Sequence, residues 1–401
     1  MNELSWVPSW PSQFSLLAAA ALMLIAGSLA ARLVSSTIRI PEISAFLLCG
    51  LLLGPSGLSL ISAQSISGLA TLADLALGVV LFELGRRVDP LWLVAERWAL
   101  ITAFAQGLAV FLGLAFVLRL LDLDPMLVLL VSALGCASSP TITLRVIQEN
   151  RAEGQVAERS LHSVAVQCLL AASLYAIGLQ SLHMQQSAHW VVTLAHPAYL
   201  LIGSVAIGLI ASVLIRAASR FLAKKHELQL LLTLSVIALL VEANDLLKLS
   251  PMISLLVFGI ASRGYGRQQA LQDPASNLTH YAMFAFLFIY LGTTLTLSFN
   301  GATLALGFVI VASRWVLLLL PSVALARKNG LSIRQGLLCS GVLFPMSGLS
   351  ILLVSHAAGF YPELGQSLTD IVGSALLITY AIGPLVSWWS IRISGEAKTD
   401  A

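Results

Sequence analysis

Thirteen long apolar segments follow one another along the chain, and they constrain the fold more than any other feature. A helix that crosses a lipid bilayer needs about 20 mostly apolar residues. The strands of a transmembrane barrel would instead alternate polar and apolar residues, and these segments do not. The sequence therefore predicts an all-α polytopic membrane protein with about 13 transmembrane helices. The predicted helices lie near residues 13–33, 41–60, 67–85, 98–120, 125–148, 159–181, 193–219, 226–243, 249–263, 277–298, 302–324, 331–356 and 367–391.

Composition and motifs exclude several classes of protein. Hydrophobic residues make up 58% of the chain, charged residues make up 10%, and the formal net charge is +3. Ordinary soluble domains carry about 25% charged residues, and a nucleic-acid binder needs a concentrated basic patch. The sequence contains no metal-ligand spacing and neither an HExxH nor a GxSxG motif. We therefore expect neither an enzyme nor a nucleic-acid binder, and no metal or cofactor site.

The Lys and Arg residues fall almost entirely in alternate connections between the predicted helices. Of the 22 residues, only Arg119 and Lys248 lie in the opposite set of connections, and Arg314 lies within a helix. Basic residues stay on the cytoplasmic side of a membrane. The pattern predicts a multi-pass protein of the inner (plasma) membrane with its N-terminus outside and its C-terminus in the cytoplasm. Because no basic residue precedes the first apolar segment, we interpret it as a spanning helix and not as a signal peptide.

The two halves of the chain resemble each other at a shift of 207–210 residues. Residues 41–44 (PEIS) open the second predicted helix, and residues 251–254 (PMIS) open the ninth. The same shift relates Gly85 to Gly292, and it relates Ser139 to Ser347. It equates helices 1–6 with helices 8–13 and leaves helix 7 as a linker. Since a shift of seven helices reverses the direction of each helix, the sequence predicts inverted repeats, which are typical of secondary transporters.

Two predicted helices contain a proline near the middle. The fifth includes GCASSPT at residues 135–141, and the twelfth includes FPMSG at residues 344–348. Proline interrupts a helix, and bare backbone at that depth must face protein or a water-filled cavity. Breaks at Pro140 and at Pro345 and Gly348, in corresponding parts of two repeats, predict a substrate site near the middle of the bilayer. The alternative is an ordinary proline kink in each helix.

Several segments resemble the cation:proton antiporter superfamily, in particular its branch of Kef-like and NapA-like exchangers. Residues 41–58 resemble the family's second-helix signature, and residues 72–90 resemble its third helix. Residues 137–146 resemble its broken helix, and residues 249–259 and 344–348 resemble later motifs. The resemblance covers roughly residues 15–390. It implies a sodium/proton antiporter fold with two crossed broken helices.

The resemblance also implies one membrane transporter domain, residues 1–401, that forms a homodimer and moves by an elevator-type mechanism. The dimerisation part would comprise about residues 13–90 and 226–298, the mobile core about residues 98–181 and 302–391, and the linker helix about residues 193–219. Larger family members add a cytoplasmic nucleotide-binding domain. Only residues 390–401 follow Trp389 in the last predicted helix, and no GxGxxG motif stands on a strand–helix unit, so we expect no such domain.

The resemblance and the two breaks together identify candidate substrate ligands. The family usually has an Asp as the second residue of a pair in helix 6, but the corresponding pair here is Gln167-Cys168. A buried thiol stays protonated and is a poor ligand for an alkali cation. The usual cation-binding carboxylate is therefore missing. The candidate ligands are Ser138, Ser139, Thr141, Gln167, Cys168, Ser347 and Ser350.

Two charged residues are candidates for proton transfer or charge compensation. Glu83 replaces an apolar residue of the family pattern, and an acid within a membrane is a functional hypothesis by default. An ion pair with Arg86 or Arg87 is the alternative for Glu83. Arg314 could neutralise the carbonyl ends of the broken helices, or it could be an ordinary snorkelling or paired arginine. Gln106 in the fourth helix is interpreted as a helix-packing contact.

These observations predict an antiporter of a monovalent cation, Na⁺ or K⁺, and protons. The expected partners are those ions, the lipid bilayer and a second copy of the chain. Two alternatives stay open because the helix-6 acid is absent. One is a transporter of the same fold for another solute, an organic anion or a neutral molecule. The other is a member that no longer transports and has a binding or regulatory role.

Overall fold

The computed structural model describes residues 15–37, 41–184, 190–221, 226–263, 274–295, 301–348, 350, 353–354 and 362–398. Within these residues it contains sixteen helices and no strand. The helices are α1 (Leu16–Thr37), α2 (Glu42–Leu53), α3 (Ala63–Gly68), α4 (Ala70–Arg87), α5 (Pro90–Ala95), α6 (Arg97–Leu120), α7 (Pro125–Gly135), α8 (Pro140–Glu149), α9 (Gln155–Met184), α10 (Trp190–Phe221), α11 (His226–Leu246), α12 (Pro251–Ala261), α13 (Pro274–Thr294), α14 (Gly301–Ala324), α15 (Ile333–Val342) and α16 (Pro362–Ser394).

The prediction of an all-helical membrane protein is confirmed. Each of the thirteen predicted segments contains a helix. Among the described residues, seven helices are long and apolar enough to cross a membrane, namely α1, α6, α9, α10, α11, α14 and α16. Four shorter apolar helices are α2, α7, α12 and α13. α7 is short because its predicted span is interrupted, so that α7 and α8 are the two halves of one predicted helix.

Three differences from the predicted helices have a local cause, namely the end of α2 and the presence of α3 and α5. The second predicted segment reached residue 60, but α2 ends at Leu53 because Gly54 leaves the helical conformation and Pro55 follows. Two short helices, α3 and α5, were not predicted. Each begins at a capping side chain, since Ser62 accepts from the Ser65 N–H and Asp89 accepts from the Leu91 and Trp92 N–H groups.

The described residues form two compact units, one made of those before residue 75 with 285–295 and one made of the rest. In the first unit, a side chain at Gly50 of α2 would overlap the backbone of α13 at Ile289 and Gly292. In the second unit, a side chain at Gly85 of α4 would overlap the backbone of α12 at Leu256 and Gly259. Glycine permits both close approaches. Equivalent positions of the two predicted repeats thus make equivalent contacts. The division into dimerisation and core parts stays a prediction.

The second unit contains the two broken spans and the helices that surround them. α14 packs against α6, α15 and α16, and α9 packs against α6, α7, α8 and α15. Beyond α16, the Glu396 carboxylate accepts hydrogen bonds from the Val156 and Ala157 N–H groups at 2.8 and 2.9 Å. A carboxylate at a helix N-terminus is stabilising. The end of α16 is thereby attached to the start of α9.

Candidate functional site

The two broken helices cross where their backbones are extended. α7 ends at Gly135 and α8 begins at Pro140, whereas α15 ends at Val342 and helical residues resume at Ser350. In the gaps, the Ser139 N–H donates to the Pro345 carbonyl at 2.8 Å, and the Ser347 N–H donates to the Ala137 carbonyl at 3.0 Å. These two hydrogen bonds form an antiparallel bridge between Ser138 and Met346. The prediction of two crossed broken helices is confirmed, and ordinary proline kinks are excluded.

The local sequence explains where the first break ends. Pro140 is the first residue of α8, the position at which a missing N–H costs nothing. Ser139 is its N-cap, and its hydroxyl accepts from the Ile142 N–H at 3.3 Å and shares a hydrogen bond of 2.9 Å with Thr141. Pro140 therefore starts a half-helix instead of bending a continuous one.

The Arg314 guanidinium lies between the carbonyl ends of both half-helices. Its side chain comes from α14 and is buried, with 1% of its surface exposed. Nε donates to the Gly135 carbonyl at 2.8 Å, Nη1 donates to the Phe344 carbonyl at 2.5 Å, and Nη2 donates to the Ser138 hydroxyl at 2.8 Å. Longer bonds of 3.3–3.4 Å reach the carbonyls of Leu343 and Ala137.

These contacts place a positive charge at two negative ends of helix dipoles. The last carbonyls of a helix have no partner within the helix and carry partial negative charge. One guanidinium, with five N–H donors in a fixed fork, serves the ends of α7 and α15 together. The geometry is the one that charge compensation by Arg314 requires. In the described part of the chain, its hydrogen-bond partners are carbonyl and hydroxyl oxygens, and no carboxylate is among them.

Glu83 makes its ion pair elsewhere. Its carboxylate lies 3.2 Å from the Arg87 Nε, one helical turn away on α4. Its side chain keeps 13% of its surface exposed, and that of Arg87 keeps 29%. This is the ion pair that was the alternative interpretation of Glu83. Residues four apart share a helix face, so the sequence spacing alone accounts for the contact.

Three of the predicted ligands are used to hold the crossing together. Ser138 is fully buried, and its hydroxyl donates to the Leu343 carbonyl at 2.8 Å while accepting from Arg314. Ser139 caps α8, and Ser347 contributes its backbone N–H to the bridge. Thr141 bonds to Ser139, as described above. Ser350 differs from these residues, because its hydroxyl is buried and has no hydrogen-bond partner among the described residues.

Gln167 and Cys168 are neighbours on α9, and both are fully buried. The Cys168 Sγ lies 3.5 Å from the Ser138 carbonyl oxygen. The Gln167 Nε2 donates to the Gln106 Oε1 at 3.0 Å, and the Gln106 Nε2 donates to the Ser322 hydroxyl at 2.7 Å. A chain of side-chain amides therefore joins α9 to α6 and α14. The Gln167 Oε1 has no partner within the described structure.

Gln106 joins helices through hydrogen bonds, which agrees with its interpretation as a helix-packing contact. It bonds to Gln167 of α9 and to Ser322 of α14. Gln106 and Arg314 are separated by 208 residues, which is the shift between the predicted repeats. Polar residues at equivalent positions of two repeats are informative even when neither belongs to a motif.

Among the described residues, the buried oxygens without a hydrogen-bond partner include the Gln167 amide oxygen, the Ser350 hydroxyl and the Ser132 hydroxyl of α7. All three are neutral. Such oxygens can accept hydrogen bonds or contribute to binding a hard cation, but they supply no negative charge. Among the described residues, no group of three or more His, Cys, Asp or Glu side chains could hold a metal ion.

The chain is similar to known proteins in its sequence and in its fold. A family model described as "Sodium/hydrogen exchanger, transmembrane" matches residues 20–389. The fold is similar to that of the sodium proton antiporter MjNhaP1 from Methanocaldococcus jannaschii at pH 8, with 18% identity, a TM-score of 0.68, and coverage of 94% of this chain and 95% of that chain. An electron-microscopy structure of MjNhaP1 gives 18% identity, a TM-score of 0.71, and coverage of 96% and 99%. A search of curated proteins finds no match.

Proposed function

Because this chain belongs to the sodium/hydrogen exchanger transmembrane family, whose members are transporters and not enzymes, we propose that it exchanges a monovalent cation for protons. The expected cation is Na⁺ or K⁺. The single observation that carries the proposal is the crossing of two interrupted helices around Arg314. Bare backbone in a membrane interior is tolerated only where it is buried in protein or lines a cavity, and transporters use such breaks to bind their substrate.

Alternating access would be of the elevator type, with the core part moving against the dimerisation part. The core part would contain α6–α9 and α14–α16, and the dimerisation part would contain α1–α4 and α11–α13, with α10 as the linker. The chain would act as a homodimer in the inner (plasma) membrane, with its N-terminus outside. Native mass spectrometry that finds only monomers would contradict the dimer. Reporter fusions at the two termini test the orientation.

Cation binding would use neutral oxygens in place of the usual carboxylate. The Gln167 amide oxygen and the Ser350 hydroxyl are buried acceptors without a partner among the described residues. A cation so bound gains no charge neutralisation and lies in the same membrane interior as the buried guanidinium. We therefore expect weak cation binding. Position 168 cannot supply the usual proton-carrying acid, and an arginine does not release its proton in a protein. Arg314 is therefore the charge-compensating candidate, and the ion-paired Glu83 is the proton-carrying candidate that the flux of Glu83→Gln tests.

The test is a flux measurement on the purified full-length protein in proteoliposomes that contain a pH-sensitive dye. Addition of Na⁺, K⁺ or Li⁺ to vesicles with an imposed pH gradient should move protons in the opposite direction. Liposomes without protein provide the baseline, and an ionophore verifies that the gradient is intact. Absence of cation-dependent proton movement over a broad pH range would contradict the proposal.

A second candidate function is the transport of an organic anion or a neutral solute by the same fold. The observation that favours it is the unpaired charge, since Arg314 is buried and has no carboxylate partner in the described structure. A buried cation attracts anions and repels cations. Thermal stabilisation of the purified protein by an anion, but by none of the three alkali cations, would support this candidate over the first.

A further inference from the structure

His162 lies on α9, away from the crossing, and has a role in none of the contacts described so far. Its imidazole is buried, with 3% of its surface exposed, and it stacks on the Trp92 ring of α5 with 4.3 Å between ring centroids. Both ring nitrogens are engaged with backbone groups. Nδ1 lies 2.8 Å from the Glu158 carbonyl oxygen, and Nε2 lies 3.0 Å from the Asp89 backbone nitrogen.

These two contacts determine which form of the ring fits. A carbonyl oxygen can only accept, so Nδ1 must carry a proton. A backbone N–H can only donate, so Nε2 must not. The neutral ring with its proton on Nδ1 therefore satisfies both contacts, and the protonated ring cannot. Protonation would leave two N–H donors, Asp89 N–H and Nε2–H, pointed at each other.

Asp89, whose backbone N–H would lose its acceptor, connects several helices. Asp89 lies between α4 and α5, and its carboxylate caps α5 by accepting from the Leu91 and Trp92 N–H groups at 3.0 and 3.2 Å. The same carboxylate pairs with Arg263, which follows α12. His162 thus attaches the connection after α4 to α9, the helix that carries Gln167 and Cys168.

Charged groups around the His162 ring provide another possible partner for its protonated form. Asp89 and Glu158 supply negative charge, Arg263 supplies positive charge, and Arg159 lies over the Trp92 ring and near Glu96. Burial acts to raise the pKa of the Asp89 carboxyl, but hydrogen bonds from Trp92, Arg263 and Leu91 hold it below its ordinary value overall. The carboxylate therefore stays ionised. An imidazolium could turn toward it, in competition with Arg263 and with the cap of α5.

We propose that His162 is a proton-binding site that controls the attachment of α9 to the connection between α4 and α5. The neutral ring holds the two together, and uptake of a proton releases the Asp89 amide. In the predicted topology this joint lies toward the cytoplasm, so acidification of the cytoplasm would loosen it. The release would act on the helix that carries the candidate ligands, and in that respect the inference rests on the proposed function.

The primary experiment measures thermal unfolding of the purified full-length protein in detergent between about pH 8 and about pH 5, the range in which imidazoles titrate. The test variant is His162→Gln, whose amide oxygen can accept from the Asp89 N–H but does not titrate. The control is His280→Gln on α13, which removes a half-buried histidine. On acidification the melting temperature of the wild type and of the control should fall by about 1–4 °C, the size expected when a buried hydrogen bond is lost in a chain of this length.

In His162→Gln the melting temperature should fall by less than half as much on acidification. An acid-dependent shift in His162→Gln equal to that of the wild type would overturn the proposal. If the variant does not fold, hydrogen exchange of the wild-type peptide that contains Asp89 decides instead. Its protection, corrected for the intrinsic effect of pH on exchange, should fall about tenfold on acidification. Unchanged protection would also overturn the proposal. Both measurements are independent of transport, so a failed flux assay leaves them interpretable.

Discussion

Positions 106 and 314 are equivalent in the two predicted repeats, but they carry different chemistry. Arg314 brings a charge to the crossing and donates to backbone carbonyls, whereas Gln106 brings an amide and bonds to other side chains. The carbonyl ends of α7 and α15 both converge on Arg314, so one guanidinium serves both broken helices. A second buried cation at position 106 would only be repelled. Equivalent positions of two repeats can therefore have different roles: Arg314 binds the carbonyl ends of the broken helices, and Gln106 joins neighbouring helices.

The largest effect is expected from removing the charge. Arg314→Ala should lower the free energy of unfolding by at least about 3 kcal/mol, because several buried carbonyls lose the charged donor that they have among the described residues. Arg314→Lys keeps the charge but not the fork, and it should lie between Arg314→Ala and the wild type. The measurement is denaturant-induced unfolding in detergent micelles. Arg119→Ala, which removes an exposed arginine at the end of α6, is the control.

Equal stability of Arg314→Ala and Arg119→Ala would contradict the role given to Arg314, since the crossing would then not depend on the charge of its guanidinium. Arg314→Gln sharpens the comparison further, because it makes the two equivalent positions identical. If it is as destabilising as Arg314→Ala, the backbone carbonyls require a cation and not just a hydrogen-bond donor.

The next effect concerns the missing acid beside Arg314. Cys168→Asp should place a carboxylate beside the Ser138 carbonyl and should create or strengthen cation-dependent proton movement. An increase of about tenfold in flux at low cation concentration corresponds to about 1.4 kcal/mol of added binding. Proteoliposome assays with Na⁺, K⁺ and Li⁺ measure it, and Cys168→Ser is the neutral control. If flux does not change, the site differs from its relatives in more than its acid.

A moderate effect is expected on the amide side. Gln106→Leu should lower the free energy of unfolding by about 1–3 kcal/mol, because it leaves the buried Gln167 amide without its acceptor. The matched control is Gln366→Leu, which removes an exposed amide that bonds to Asp370. A double-mutant cycle with Gln167→Leu should give a coupling energy of about 1 kcal/mol. Additive effects of the two substitutions would show that the amides do not act as a pair.

The sequence was sufficient for the fold and for only part of the site. Bilayer thickness sets the length of apolar segments, so the thirteen helices could be predicted, and proline at positions 140 and 345 located the breaks. Arg314 was a candidate for neutralising the carbonyl ends of the broken helices, but its bond to the Ser138 hydroxyl could not be predicted, because the two residues are far apart in the chain. The packing role of Gln106 could be expected, but its partners Gln167 and Ser322 could not, because a single glutamine forms no motif. The short helices α3 and α5 were missed because their capping residues resemble ordinary loop residues.

The smallest effect is expected at Glu83, the charged candidate that has a partner. Exposed or partly exposed ion pairs four residues apart in a helix contribute about 0.3–0.5 kcal/mol. Glu83→Gln should therefore lower the free energy of unfolding by no more than that, and it should leave cation-dependent proton movement at the wild-type rate. Arg87→Gln removes the other half of the pair and should match it. Loss of flux in Glu83→Gln with normal flux in Arg87→Gln would give Glu83 the proton-carrying role, and a charge away from the crossing would then matter more than the charge within it.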